Sequence, residues 1–140
     1  MSSPGDPDES VGLDIRRAIP VVHGDDPVAA RAFYEGLLGM RVAMDQDGML
    51  MFASRTTPTT QVIVTWPSPT ALDPELLQVD ISIEVPNADL VFAQASDRGL
   101  PIVRGLRDEP WGIRRFFVED PTGLVVNVAA HLRPGSDSTA

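Results

Sequence analysis

Glu109-Pro110-Trp111-Gly112-Ile113-Arg114-Arg115-Phe116, closed by Asp120-Pro121-Thr122-Gly123, is the stretch whose reading decides the fold. It sets a large aromatic on a Gly-bounded turn, runs into a strand, and ends in a second tight turn. Pro121 fixes φ, the Asp120 side chain can accept from nearby backbone N–H groups, and Gly123 tolerates positive φ. The turn launches a last apolar strand over 124–129. Trp111, on a loop rather than inside an apolar run, is either a cover over the last strands or a stacking surface for a ligand.

Outward from this stretch, the chain says nearly the same thing twice. A strand over Arg17–His23 is followed by Asp26 as helix cap, Pro27 at the first helical position and Gly39 as the stop. Ala29, Ala32, Phe33 and Leu37 fall at helical spacing and predict that helix's buried stripe. Strands at 41–44 and 49–54 flank the turn residues Asp45-Gln46-Asp47-Gly48, and a further strand covers 60–66. After the Pro-rich link the order returns. A strand covers 79–85, and Asn87 caps a helix that should bury Val91, Phe92 and Ala95 and stop at Gly99. Strands follow near 101–104, 113–119 and 124–129. A unit repeated only twice points to a duplicated β-α-β-β-β module rather than a solenoid.

Bulk properties narrow the function. The 140 residues suit one domain with a sizeable core. Cysteine is absent, which removes disulfides, thiolate nucleophiles and Cys-based metal sites. All 11 basic residues are Arg, so no Lys can form a Schiff base. The net charge of −9 argues against nucleic acid and favours a cationic partner, although Asp6, Asp8, Glu9 and Asp14 crowd the start of the chain. No apolar run approaches the roughly 18 residues of a membrane span, and the acidic start is unlike a signal peptide, so a cytoplasmic location is expected. Residues 1–14 read as a flexible arm and 134–140 as a flexible tail. Between them one domain over 15–133 is expected, with module one at 15–66, a link at 67–77 and module two at 78–133.

The Pro-Trp-Gly-x-Arg-x-Phe run with its Asp-Pro-x-Gly turn resembles the vicinal oxygen chelate superfamily of glyoxalases, bleomycin-resistance proteins and extradiol dioxygenases. Among these it is most similar to the bleomycin-binding type. Phe33-Tyr34-Glu35-Gly36-Leu37-Leu38-Gly39 is similar to that superfamily's first-helix signature. The resemblance implies an α+β fold in which two βαβββ modules form a curved mixed sheet with a concave ligand cup. In metal-using members, donors project from the first strand of each module and from the last strand. Here those positions fall at Ile19, Asp80 and Asn127, and an aliphatic side chain offers a divalent ion nothing. A cup with no metal and no cofactor is expected.

Polar residues on such a cup would do the binding. In 79–85 the residues Asp80, Ser82 and Glu84 alternate with aliphatics, as they also would on any strand with one wet face. Asn127 lies on the closing strand. Phe52 and Trp66 could add aromatic walls or pack in the core. Arg114 alternates with Arg115, so one of the two must face inward or onto a partner. The favoured expectation is a small-molecule-binding protein that sequesters a cationic, aromatic ligand, such as an antibiotic, as a homodimer. The resemblance implies that Trp111 would then line a groove at the dimer interface. The alternative is a lyase, isomerase or dioxygenase, using a metal held by Asp80 with His23 or Glu84, or using Asp80 or Glu84 as a general base.

Overall fold

The computed structural model describes residues 14–132. The arm expected at 1–14, save its last residue, and the tail expected at 134–140 lie outside the described residues. The chain divides into two compact units. One spans Arg17–Ser82; the other, within the described residues, joins 14–16 to 83–132.

The first unit contains β1 (Arg17–His23), helix α1 (Pro27–Arg31) running on as a π-helical turn (Ala32–Leu37), β2 (Arg41–Gln46), β3 (Met49–Ala53) and β4 (Gln61–Thr65). Its strand order is β2-β3-β4-β1, with β1 and β4 parallel and the two hairpin pairs antiparallel. Asp26 caps α1 by accepting from Ala29 N at 3.0 Å, as its place before Pro27 predicts. The hairpin turn is the two-residue Asp47-Gly48, since Gln46 pairs with Met49. Gly48 is required there. Its φ is +88°, and a Cβ would come within 2.8 Å of Ala71 Cβ.

The expected buried stripe of α1 is corrected. Phe33 is 49% and Leu37 70% exposed, and Ala29 and Ala32 are exposed too. Ala30, Tyr34 and Met40 take their place against Leu50, Phe52 and Val64. The inward side is set before the π turn closes: Ala30 and Tyr34, four residues apart, meet the strands, and the bond from Leu38 N to Phe33 O follows them. Tyr34 rotates inward and stacks on Phe52 with ring centroids 5.1 Å apart.

The second unit repeats the plan. β5 (Ile81–Glu84) enters it, and α2 (Ala88–Asp97), β6 (Ile102–Glu109), β7 (Ile113–Glu119) and β8 (Val125–His131) follow. Read in reverse, as β6-β7-β8-β5, the strand order is that of the first unit, position for position. Asn87 caps α2 by accepting from Leu90 N at 3.1 Å. Here the expected stripe holds: Val91, Phe92 and Ala95 pack with Ala88 on Phe116, Val128 and Ala130. Asp120 Oδ1 accepts from Thr122 N and Leu124 N, which is the turn chemistry expected of it. A short 3-10 helix, Pro74–Gln78, occupies the end of the Pro-rich link. The mixed α+β class and the duplication are thus both present.

Candidate functional site

In each unit the helix covers one face of the strands, and a ligand site must be sought on the other. Strand alternation and register say what lies there.

In the second unit that face is ionic. β6 carries two bulges against β7, so that Ile102 pairs with Val118 but Arg104 pairs with Phe117 and Arg107 with Arg115. Directly paired residues share a face. The first bulge therefore moves Arg104 off the helix side, where simple alternation from Ile102 would leave it, and the second restores the phase so that Arg107 lies beside it on the same face. Three guanidinium groups converge on Glu109. Its Oε2 lies 2.5 Å from Arg104 Nη2, 2.8 Å from Arg115 Nε and 3.4 Å from Arg107 Nη2. Glu109 and Arg115 are both buried, at 8% and 2% exposure. Burial pushes the Glu109 carboxyl up, but the charges and hydrogen bonds of Arg115 and Arg104 outweigh it and hold the pKa below the ordinary value. Beneath them Phe117 is fully buried, with the Arg104 and Arg115 guanidinium carbons 4.5 and 5.1 Å from its ring centroid.

Trp111 belongs to this cluster. Gly112 N donates to Glu109 O at 3.1 Å and closes the turn that carries the indole. The Arg115 guanidinium lies 5.3 Å from the indole centroid, and Trp111 is still 38% exposed. A buried ion pair thus braces an aromatic ring that remains open to solvent. Asn127, opposite Phe117 in the register, lies on the same face and is buried. Glu84, with 15% of its side chain exposed, meets His131 Nε2 at 3.2 Å.

In the first unit the corresponding face is apolar with two polar points. Val21 pairs with Ile63 and His23 with Thr65, so these four share it, with Met49, Met51 and Ala53 opposite on β3. His23 Nδ1 lies 2.9 Å from Thr65 Oγ1. Gln61, on the same strand face, is buried. Its Nε2 donates to Pro58 O at 3.0 Å, while its buried Oε1 has no hydrogen-bond partner among the described residues. Asp80 and Ser82 sit opposite the aliphatics Val79 and Ile81, as strand alternation predicts, with Ser82 buried and Asp80 half-buried. The Asp80 carbonyl accepts from Val21 N at 3.0 Å.

Three expected site residues are corrected. Phe52 is fully buried on the helix side of the first unit, stacked on Tyr34, and Trp66 packs against the same cluster. Both are core because even-numbered positions of β3 and β4 face α1. Arg114 faces the helix side of the second unit, bonded to Asp108 at 2.5 Å and to Asp89 of α2 at 3.0 Å. Its hydrogen bond to Asp108 holds that carboxyl below the usual range. Arg115 is the inward member of the pair. Sequence reasoning missed Arg104, Glu109 and Gln61. A charge inside the Trp111 turn was the one available sign, and bulges cannot be read from alternation.

The metal expected of many relatives does not fit this donor set. Ile19 is a buried aliphatic at the first position and Asn127 a neutral amide at the last. Among the described residues no group of three or more His, Asp or Glu side chains could hold an ion. No helix among them is long and apolar enough to cross a membrane.

Residues 20–128 match the model of the glyoxalase/bleomycin resistance protein/dioxygenase superfamily. The chain belongs to that family. No curated protein matches it. Among solved structures it is similar to a member of the same superfamily from Vibrio splendidus 12B01, at 13% identity and TM-score 0.62, covering 84% of this chain and 99% of that one. It is similar to methylmalonyl-CoA epimerase from Mycobacterium tuberculosis, at 15% identity and TM-score 0.64, covering 88% and 91%. A structure described as NAD-dependent benzaldehyde dehydrogenase from Legionella pneumophila matches at 17% identity and TM-score 0.62, covering 81% and 98%. These likenesses establish the fold, and the differing activities in their descriptions show that the fold alone names no reaction.

Proposed function

We propose that this chain is a small-molecule-binding protein of the bleomycin-resistance type that works without a metal, by holding its ligand rather than transforming it. The observation that carries the reading is Trp111. Its indole is braced by the buried Arg115–Glu109 pair and keeps more than a third of its surface exposed. A rigid aromatic surface loses little entropy when a flat ring stacks on it. The first probes are flat heteroaromatic cations, because the net charge of −9 favours their approach. The reading includes a cytoplasmic homodimer. Val28, Leu37 and Leu38, exposed at 77%, 70% and 56%, support a second copy packing on the first helix, and light scattering checks it.

The test uses the Trp66→Phe variant, which leaves Trp111 as the one indole. Saturable quenching by a flat ligand recovered chemically unchanged supports the proposal. No quenching across cationic, neutral and anionic aromatics, or turnover of the bound ligand, overturns it.

A second reading has its own observation. Glu84 and His131 form a carboxylate–imidazole pair on the same face of the second unit, and such a pair can abstract a proton beside a carbonyl. An epimerase-like activity follows. Incubation with methylmalonyl-CoA in D₂O would introduce deuterium at the α-carbon, and Glu84→Gln would abolish the exchange. No exchange removes this reading.

A further inference from the structure

The helix side of the second unit contains a cavity of about 300 Å³ that the proposed binding face does not use. Val85, Phe116 and Val128 line its strand side, and Val91 and Ala95 of α2 line the other. Its origin is legible in the helix. The stripe Ala88, Val91, Phe92, Ala95 recurs at helical spacing, and its two buried members, Ala88 and Ala95, are small. Its next position, three residues on, is Arg98, so the stripe ends in a charge. Gln94 and Arg98 both border the cavity, 3.4 Å apart through Oε1 and Nη2. Among the described residues no carboxylate pairs with Arg98.

Ile15 also borders the cavity, and it is 58% exposed. The segment carrying it is tied to β5 by Arg16 N donating to Glu84 O at 2.8 Å. The pocket opens to solvent beside Ile15, Arg98 and Leu100, and its inner walls are aliphatic and aromatic, so an apolar guest gains contacts on each of them. Binding pockets begin at about 300 Å³, so the guest is small. One cation with a neutral amide beside it, at the mouth of a cavity whose other walls are apolar, matches a molecule with an unbranched apolar body and one anionic end.

We infer that this cavity is a second binding site, for a medium-chain acyl carboxylate, whose chain lies between α2 and the strands and whose carboxylate meets Arg98. Each methylene buried tightens binding about fourfold, so affinity rises along hexanoate, octanoate and decanoate until the cavity is filled.

Calorimetric titration of the full chain with these acids, decanol and decyltrimethylammonium tests the site. The expected result is a rise with chain length, decanoate binding about tenfold tighter than decanol, and the ammonium weakest. Arg98→Ala, an exposed change, should bring decanoate to the level of decanol, and Ala95→Leu should weaken every member of the series. Trp111→Ala should leave all of them unchanged, which separates this site from the proposed ligand face. Absence of decanoate binding at millimolar concentration overturns the inference. So does equal binding of the ammonium, or loss of decanoate binding in Trp111→Ala.

Discussion

The two units share one strand order and differ in almost everything packed upon it. In the first, neither α1 nor the π turn after it contains a buried residue, and Leu37 is 70% exposed. In the second, α2 buries Ala88 and Ala95 and adds Val91 and Phe92 to the core. The faces away from the helices differ as sharply. The first is Ile19, Val21, Ile63 and Ala53 with a His23–Thr65 contact; the second is a Glu109–Arg115 pair joined by Arg104. A duplicated topology therefore constrains backbone pairing and little else. Once each copy has its own core, the other face is free to take a different chemistry.

The sharpest way to break this contrast is at the ion pair. Replacing Glu109 with Gln leaves Arg115 buried without its counter-charge and should destabilise the chain by about 3–5 kcal/mol. No comparable loss is expected from His23→Ala on the first unit's face. Denaturant midpoints decide it, and equal effects would mean the two faces are energetically alike. The cores should behave alike where the faces do not: Phe52→Ala and Phe116→Ala, both fully buried, are each expected to cost about 3–5 kcal/mol.

The same ion pair sets a pH signature. Glu109 has a folded pKa below its ordinary value of 4.5. Its contribution is fully present above that value and is lost as pH falls from there through the folded pKa. The gap between wild type and Glu109→Gln should therefore be constant from pH 7 to about 5 and close below about 4.5. Thermal melts of the two proteins across that range measure it, and a gap that widens on acidification would contradict the assigned direction.

Smaller effects sharpen the comparison. Gly48→Ala meets both a left-handed φ and the Ala71 methyl, so about 1–3 kcal/mol is expected from an otherwise mild change. At the low end, Leu37→Ser on the π turn after α1 should stay within about 0.5 kcal/mol in the monomer, while Ala95→Ser on α2 should exceed it. If Leu37→Ser destabilises more than Ala95→Ser, then the exposed residues of the π turn are covered in solution.

Much of the site was readable in part. Val79, Ile81, Ile83 and Val85 announced by strict alternation that Asp80, Ser82 and Glu84 lie together on the opposite face. The Pro-Trp-Gly turn announced Trp111. What could not be read was which of two adjacent residues faces inward. Arg114 and Arg115 are chemically the same in sequence, and only pairing with β8, where Arg115 stands opposite Ala129 and Arg114 opposite Ala130, separates them. Phe52 and Trp66 failed for the same reason, since an aromatic on a strand satisfies either face.

By itself the sequence determined the caps at Asp26 and Asn87, the glycine stops, the turn at Asp120 and the duplicated order of elements. All of these are local, set by residues within a few positions of one another. Only the tertiary structure decided the inward turn of Tyr34, the two bulges of β6 and the gathering of Arg104, Arg115 and Glu109 around Phe117. The bulges depend on a hydrogen-bond register, one extra residue along a strand, and Tyr34 depends on which side of its helix meets the strands. A register is chosen by the packing of the finished core, and no spacing in the chain encodes it.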